Sequence, residues 1–290
     1  MELENKVAVV TGGGTGIGKA AAALFAAEGA RVVIAGRREQ PLVATVAEVR
    51  GNGGEIAAVA TDVTDSRAVQ KLLEEAARLF GRIDILLTCA GVFVSGRETQ
   101  DFSEEEWDRT MGVNFRGAML CCTRVVPVMQ KSGGGSIITC TSVSGRVAQR
   151  MQTPYNVSKA AIEMMSKCMA LELGRYNIRV NSICPGLTET DMAAPQIAAR
   201  GREACVLPNP LPRLGLPMDT AEATKVSPPA CRVWPTYSPS PFMGMRERSK
   251  RGAPMSTLTV STAPRASRVA RQGSTPRPVS TATASSRVSA

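Results

Sequence analysis

Residues 6–18 read KVAVVTGGGTGIG, an apolar, valine-rich run that enters a glycine-rich turn and leads directly into a helical pattern. At the first strand–helix turn of a parallel sheet, glycines let the backbone approach a pyrophosphate, and the helix N-terminus offers N–H donors. The spacing is T-G-x-x-x-G-x-G rather than G-x-G-x-x-G, so an ordinary loop is the alternative interpretation. We expect Gly12, Thr15, Gly16 and Ile17 to contact a dinucleotide phosphate.

Five further apolar runs follow, and amphipathic stretches separate them. The six runs are 6–11, 31–35, 56–60, 83–88, 136–141 and 178–184, and the clearest helical patterns are 18–28, 66–80 and 153–173. Gly29, Gly81 and Gly174 follow these helical patterns and are expected as left-handed C-caps, and residues 103–106 have the pattern of a capping box. This alternation predicts one α/β domain with a doubly wound parallel sheet, the Rossmann fold.

Composition excludes several kinds of chemistry. The 290 residues contain no histidine, which removes Ser-His-Asp and Cys-His mechanisms and histidine-ligated metal sites. A general acid or base must therefore be Tyr, Lys, Cys, Asp or Glu, and we expect no metal. The eight cysteines form no C-x-x-C pair, which is typical of free thiols in a reducing cytoplasm. We expect no signal peptide and no membrane span.

The positive charge is confined to the last part of the chain. Residues 224–290 hold 11 Lys and Arg against one acid, whereas residues 1–223 hold 24 of each and are neutral. The 224–290 segment is rich in Ser, Thr, Pro and Arg, and we predict a disordered tail there. A lineage-specific extension and an altered reading frame are both open explanations for it. Because the 1–223 domain is neutral, we expect no specific nucleic-acid partner.

The second apolar run is followed by Arg37 and Arg38, and residues 35–37 contain no acid. An acid at this point suits the ribose 2′-hydroxyl of NAD, whereas basic residues suit the 2′-phosphate of NADP. NADP(H) is therefore favoured over NAD(H), with two solvated arginines as the alternative. After the third run, Asp62 and Val63 are candidates for contacting the adenine, and capping of the next helix is an equal alternative for Asp62.

The strongest catalytic signal is Tyr155 and Lys159 at the start of a predicted helix. Residues four apart share one helix face, so the ammonium can lie beside the phenol and stabilise its ionised form. Such a tyrosine can exchange a proton with a substrate oxygen. A chance Y-x-x-x-K is common, so its weight depends on the other motifs.

Together, the motifs of residues 1–222 resemble the short-chain dehydrogenase/reductase family, in particular its 3-ketoacyl-carrier-protein-reductase-like and glucose-dehydrogenase-like members. The matching positions are 11–18, Asp62-Val63, Ala90-Gly91, Asn114, Ser142, Tyr155, Lys159, Pro185-Gly186 and Thr188. Their order and spacing agree from the first strand to the sixth.

The resemblance implies a role for each matching residue. Tyr155 is expected as the acid/base at the substrate oxygen, with Ser142 donating a hydrogen bond to that oxygen. Lys159 is expected to assist the tyrosine and bind the nicotinamide ribose, and Asn114 to fix a water that relays protons to Lys159. The remaining expected cofactor contacts are Ala90, Gly91, Pro185, Gly186 and Thr188.

The resemblance implies an NADP(H)-dependent oxidoreductase that interconverts a ketone and a secondary alcohol of a small-molecule substrate, with residues 189–212 covering the substrate. A homodimer or homotetramer is expected unless the altered C-terminus prevents it. Residues 88–91 read Thr-Cys-Ala-Gly where the family usually has Asn-Asn-Ala-Gly, which puts the local geometry in doubt. The family's next apolar helix and seventh strand do not appear after Ala223. A cofactor-binding protein with little or no turnover is therefore the alternative.

Overall fold

One parallel sheet organises the residues that the computed structural model describes, which are 1–206 and 212–225. Its strands are β1 (Val7–Thr11), β2 (Arg31–Gly36), β3 (Ile56–Ala60), β4 (Ile85–Thr88), β5 (Gly135–Cys140) and β6 (Ile178–Ile183). Their order across the sheet is β3-β2-β1-β4-β5-β6. The direction of winding reverses between β1 and β4, which places a ligand crevice at the carboxyl ends of these two strands.

Helices connect the strands and cover the sheet. They are α1 (Gly16–Ala27), α2 (Glu39–Gly51), α3 (Ser66–Phe80), α4 (Glu104–Thr110), α5 (Gly117–Lys131), α6 (Thr153–Leu173), α7 (Ala194–Arg200), α8 (Arg202–Val206) and α9 (Pro217–Lys225). A π-helical turn, Met111–Arg116, joins α4 to α5. The predicted doubly wound Rossmann fold is confirmed.

Two apolar clusters, one on each side of the sheet, form the core. On one side α3, α5 and α6 bury side chains such as Leu72, Val125 and Met169. On the other side α1 and α2 bury side chains such as Phe25 and Leu42. Strands covered on both sides need apolar residues on both faces, which explains why the apolar runs lack polar alternation.

Local turn chemistry follows the sequence at most helix ends. Gly29 and Gly81 have positive φ angles of 88° and 79°, and the reciprocal capping box joins Ser103 to Glu106. The C-cap prediction for Gly174 is wrong, because that residue stays right-handed with a φ of −54°. A 3₁₀ turn extends α6, and Asn177, with a φ of 57°, takes the left-handed position instead.

Helix α9 lies against α1. Ala221 is fully buried in the cluster beneath α1, and the Lys225 ammonium is 2.7 Å from a carboxylate oxygen of Glu28 at the end of α1. Helix α9 continues two residues past the predicted boundary at residue 223. The rest of the predicted tail lies outside the described residues.

Candidate active site

The glycine-rich turn after β1 is built for close backbone approach. Gly12 and Gly16 have φ angles of 70° and 54°, a conformation that glycine adopts at no steric cost. A Cβ at Gly18 would lie 2.3 Å from the Gly12 carbonyl oxygen, and a Cβ at Gly12 would lie 2.8 Å from the Ala90 nitrogen. The turn therefore packs closely against α1 and against the segment after β4. Neither Gly12 nor Gly18 could carry a side chain without a clash with backbone atoms.

Thr15 and Ile17 lie at the start of α1, where the first amides have no partner within the helix. Thr15 is the N-cap residue, with an extended backbone. Amides at a helix N-terminus, together with the helix dipole, attract an anion. The four predicted phosphate contacts therefore lie together at the carboxyl end of β1.

Arg37 and Arg38 follow β2 and are exposed, beside the same end of the sheet. Asp62 follows β3 and accepts hydrogen bonds from the backbone and hydroxyl of Thr64, at 2.9 and 2.7 Å. Burial opposes ionisation of Asp62, but these hydrogen bonds and the charge of Arg37 outweigh it and lower the pKa of the carboxyl. Asp65, not Asp62, caps the next helix, through the amide of Arg67.

The segment after β4 is held to β1 and to α6. The amide of Ala90 donates to the Thr11 hydroxyl at 3.3 Å. A Cβ at Gly91 would lie 3.4 Å from Asn114 Oδ1 and 4.0 Å from Lys159 Nζ. Ala90 and Gly91 are thus brought between the glycine-rich turn and the candidate catalytic residues.

Asn114 lies in the π-helical turn and has no exposed surface. Its Oδ1 accepts from the Val92 amide at 2.7 Å, and its Nδ2 donates to the Val92 carbonyl and to the Ser158 hydroxyl, both at 3.0 Å. Ser158 in turn donates to the Tyr155 carbonyl at 2.8 Å. Asn114 therefore ties the segment after β4 to the first turn of α6.

Lys159 and Tyr155 share one face of the first turns of α6. The Lys159 side chain is buried, donates to the Cys140 carbonyl at 2.8 Å, and lies 5.6 Å from the centroid of the Tyr155 ring. The Tyr155 ring is half-buried and packs edge-to-face on Phe93, with centroids 4.9 Å apart. This arrangement fixes the ring orientation and places a cation beside it.

Ser142 follows β5 and is buried, and its hydroxyl accepts from the Ser144 amide at 3.2 Å. After β6, Pro185 accepts from the Val143 amide at 3.1 Å, so the two loops that follow β5 and β6 are joined. The Thr188 hydroxyl donates to the Gly186 carbonyl at 3.1 Å. The predicted residues 142 and 185–188 therefore belong to one group of loops at the carboxyl edge of the sheet.

The segment predicted to cover the substrate is described for residues 189–206 and 212, while residues 207–211 lie outside the described part. It contains α7 and α8, and the Thr190 methyl group would lie 3.1 Å from a Cβ at Gly16. This contact joins the segment to the glycine-rich turn. Sequence reasoning missed Thr190, and it also missed Phe93 and Ser158.

The described residues present neither a metal-binding cluster nor a membrane-spanning helix. No group of three or more His, Cys, Asp or Glu side chains in residues 1–206 and 212–225 is placed to hold a metal ion. No helix in the same ranges is long and apolar enough to cross a membrane.

Comparison with known proteins identifies the family. Residues 6–201 match the family model described as short chain dehydrogenase, and the chain therefore belongs to the short-chain dehydrogenase/reductase family of oxidoreductases. It is 39% identical over 226 residues to the uncharacterized oxidoreductase YxbG of Bacillus subtilis, which covers 76% of this chain and 82% of that protein.

Two further relatives carry a named activity. The 3-oxoacyl-[acyl-carrier-protein] reductase FabG of Thermotoga maritima is 37% identical over 222 residues, covering 77% of this chain and 89% of that protein. A variant of actinorhodin polyketide ketoreductase, in a structure with NADPH, superimposes with a TM-score of 0.74 at 28% identity, covering 78% of this chain and 90% of that one.

Proposed function

We propose that this chain is an NADP(H)-dependent oxidoreductase that interconverts a ketone and a secondary alcohol, with Tyr155 as the acid/base. The observation that carries the proposal is the placement of Lys159, whose buried ammonium lies 5.6 Å from the Tyr155 ring centroid. A cation beside a phenol stabilises the phenolate. The tyrosine can then donate its proton to a ketone oxygen and take a proton from an alcohol oxygen in the reverse direction.

The glycine-rich turn fits a dinucleotide. Its glycines leave gaps that a Cβ would fill, and they lie at the N-terminus of α1 at the topological switch point. Gly12, Thr15, Gly16 and Ile17 would hold the pyrophosphate there. When bound, the nicotinamide group supplies or accepts the hydride.

Arg37 and Arg38 support NADP(H) over NAD(H). Both are exposed at the end of β2, where a guanidinium can pair with a 2′-phosphate. Asp62 and Val63 would lie along the adenosine part of the cofactor. The ketoreductase relative is described in complex with NADPH, which supports the same choice.

Ser142 and Asn114 complete the proposed machinery. Ser142 would donate its hydroxyl proton to the same substrate oxygen as Tyr155, because its Oγ accepts from Ser144 and leaves the donor available. The Asn114 side chain and the Lys159 ammonium both lie beside Gly91. A water held there would relay protons to the ammonium. Ala90, Gly91, Pro185, Gly186 and Thr188 would line the nicotinamide end.

The substrate class follows from the tyrosine mechanism and the relatives. Two of them are named as reductases, one of a 3-oxoacyl-[acyl-carrier-protein] and one of a polyketide. A small molecule with a carbonyl or a secondary hydroxyl group is therefore proposed for this chain.

A homo-oligomer is also proposed. Val157, Met164 and Leu171 recur every seven residues along α6 and are 43%, 59% and 67% exposed. Such a stripe on one helix face is typical of a surface that packs against another helix. Light scattering on the full chain would measure the oligomer. The cytoplasmic location stays a prediction.

Tyr155→Phe tests the mechanism, because it removes only the phenolic hydroxyl. The variant should bind NADPH normally and lose at least about 10²-fold in kcat on the ketone that the wild type reduces best. Tyr176→Phe, on an exposed tyrosine before β6 at the opposite edge of the sheet from the site, is the matched control and should keep full activity. Near-full activity of Tyr155→Phe would overturn the assignment of the acid/base.

An activity assay on the wild-type protein distinguishes an oxidoreductase from the alternative, a cofactor-binding protein with little or no turnover. In residues 1–206 and 212–225 the sheet has six strands, and the family's usual seventh strand does not appear in the sequence. NADPH binding without turnover across a panel of ketones, β-ketoacyl esters and sugars would favour a cofactor-binding protein.

A further inference from the structure

Cys89 and Cys140 lie at equivalent positions of two neighbouring strands. Strands β4 and β5 are paired in parallel with Leu87 opposite Ile138 and Thr88 opposite Thr139. The next residue in each case is a cysteine: Cys89 directly follows β4, and Cys140 is the last residue of β5. Neighbouring strands are about 4.8 Å apart, within the roughly 4.4–6.8 Å between Cα atoms that a disulfide spans.

Both thiols also point to the same side of the sheet. Leu87 and Ile138 are buried in the cluster on the α1 side, and side chains two residues along a strand return to the same face. Cys89 itself packs against that cluster. The strand register and the shared face therefore place the two sulfurs next to each other.

The pair differs electrostatically from isolated buried thiols. The neighbouring Cys89 thiol and the charge of Lys159 lower the pKa of Cys140 against the effect of burial, while the neighbouring Cys140 and burial raise the pKa of Cys89. Of the two thiols, Cys140 is therefore the one that ionises more readily. A thiolate is the nucleophilic form of cysteine.

We infer that Cys89 and Cys140 are an oxidation site that hydrogen peroxide converts to a reversible intramolecular disulfide. The Cys140 thiolate attacks peroxide, which forms a sulfur–oxygen bond, breaks the oxygen–oxygen bond and releases hydroxide. The Cys89 sulfur then attacks the sulfenic sulfur, loses its proton and displaces a second hydroxide. In sum, two thiols are oxidised, one peroxide is reduced, and two waters leave.

Formation of the bond would disturb the site on two sides. The Cys140 carbonyl holds Lys159 at 2.8 Å, and the Cys89 carbonyl oxygen would lie 2.9 Å from a Cβ at Gly12. A shift of either backbone therefore moves the ammonium or the glycine-rich turn. This consequence for activity rests on the proposed function, whereas the disulfide itself does not.

Four of the other described cysteines, Cys121, Cys122, Cys168 and Cys184, lack this arrangement. Burial raises the pKa of Cys121 to about 12 and, together with the Cys121 charge, raises that of Cys122 further, and Cys168 is exposed on α6. Cys184 is one residue beyond Ile183, which pairs with Cys140, so its side chain points to the opposite side of the sheet. Cys184 is therefore the best control cysteine, because it is close to Cys140 but faces the other side of the sheet.

The test is peptide mapping of the full chain without cofactor. Purified protein is treated with hydrogen peroxide, free thiols are alkylated under denaturing conditions, and the digest is compared before and after dithiothreitol. A Cys89–Cys140 linked peptide that dithiothreitol cleaves is expected. A Cys140–Cys184 link, or both cysteines alkylated or over-oxidised without a link, would overturn the inference.

Variants and activity separate this inference from the proposed function. Cys168→Ser should still form the link, whereas Cys89→Ser and Cys140→Ser should each keep their own untreated activity after peroxide. Wild-type ketone reduction should fall by about 10²-fold on oxidation, the cost of a small misplacement in a catalytic site, and return with dithiothreitol. If untreated protein reduces no ketone, the proposed function fails and the mapping alone decides the disulfide. A link that leaves activity unchanged contradicts the disturbance of Lys159.

Discussion

Replacing Asn114 by alanine should loosen the connection between the segment after β4 and helix α6. The change removes three hydrogen bonds, to the Val92 amide, the Val92 carbonyl and the Ser158 hydroxyl. Asn114 has no exposed surface, so water does not readily replace its amide group. Both polar groups of Val92 lose their partner, while Ser158 keeps its bond to the Tyr155 carbonyl.

The expected loss of unfolding free energy is about 3 kcal/mol, at roughly 1 kcal/mol for each hydrogen bond. This loss corresponds to a roughly 10²-fold shift in the folding equilibrium. Urea unfolding followed by circular dichroism measures it, and an unchanged m-value shows that the comparison is between similar states. The kcat for ketone reduction should fall as well, because Asn114 positions the first turn of α6.

Asn52→Ala is the matched control, since Asn52 is exposed at the end of α2. It should change stability by no more than about 0.5 kcal/mol. If Asn114→Ala lost less than about 1 kcal/mol of unfolding free energy, the reasoning would be refuted. The three buried hydrogen bonds would then contribute little more to stability than the exposed side chain of Asn52.

Three further changes test other parts of the molecule. Arg37→Asp should reverse a wild-type preference for NADPH over NADH in fluorescence titrations, through repulsion of the 2′-phosphate, and equal wild-type affinities would contradict the assignment. Gly18→Ala should weaken NADPH binding by about 10- to 100-fold, because its methyl group meets the Gly12 carbonyl at 2.3 Å, whereas Gly51→Ala, with open space around it, should not. Although burial opposes ionisation of Glu163, its hydrogen-bonded cations lower the pKa of the carboxyl below 4.5. The ionised Glu163 therefore contributes fully to the free energy of unfolding above the ordinary glutamate pKa of 4.5. This contribution disappears as the pH falls through the lowered pKa of the folded state. Glu163→Gln should cost about 1–2 kcal/mol in urea at pH 7, and the cost should shrink as the pH is lowered below 4.5; a constant difference would contradict the sign.

The sheet and its connections follow from the sequence because the signals are repeated and mutually consistent. Six apolar runs alternate with helical patterns, and helices α3 and α6 begin and end at the predicted residues, 66–80 and 153–173. Gly81 ends α3 because the left-handed position there suits glycine. At the end of α6 the same reasoning is wrong, because a 3₁₀ turn carries the chain on to Asn177.

The site is only partly predictable from the sequence. The motif residues are found by their spacing, but the contacts of Asn114 depend on a π-helical turn, and no periodicity in residues 111–116 marks one. Phe93 and Thr190 are held in the site by contacts with residues distant in sequence. Such contacts depend on tertiary packing, which local patterns do not encode.

The packing of α9 on α1 has a consequence for biosynthesis. Glu28 and Lys225, which join the two helices, are 197 positions apart. A ribosome must therefore synthesise the chain beyond residue 225 before α1 gains this partner. Until then, the helix that begins at the glycine-rich turn keeps one side uncovered, and folding must wait for a contact of high sequence separation. The nascent chain is thus expected to acquire its finished nucleotide-binding turn late, although that turn is among the first residues to emerge.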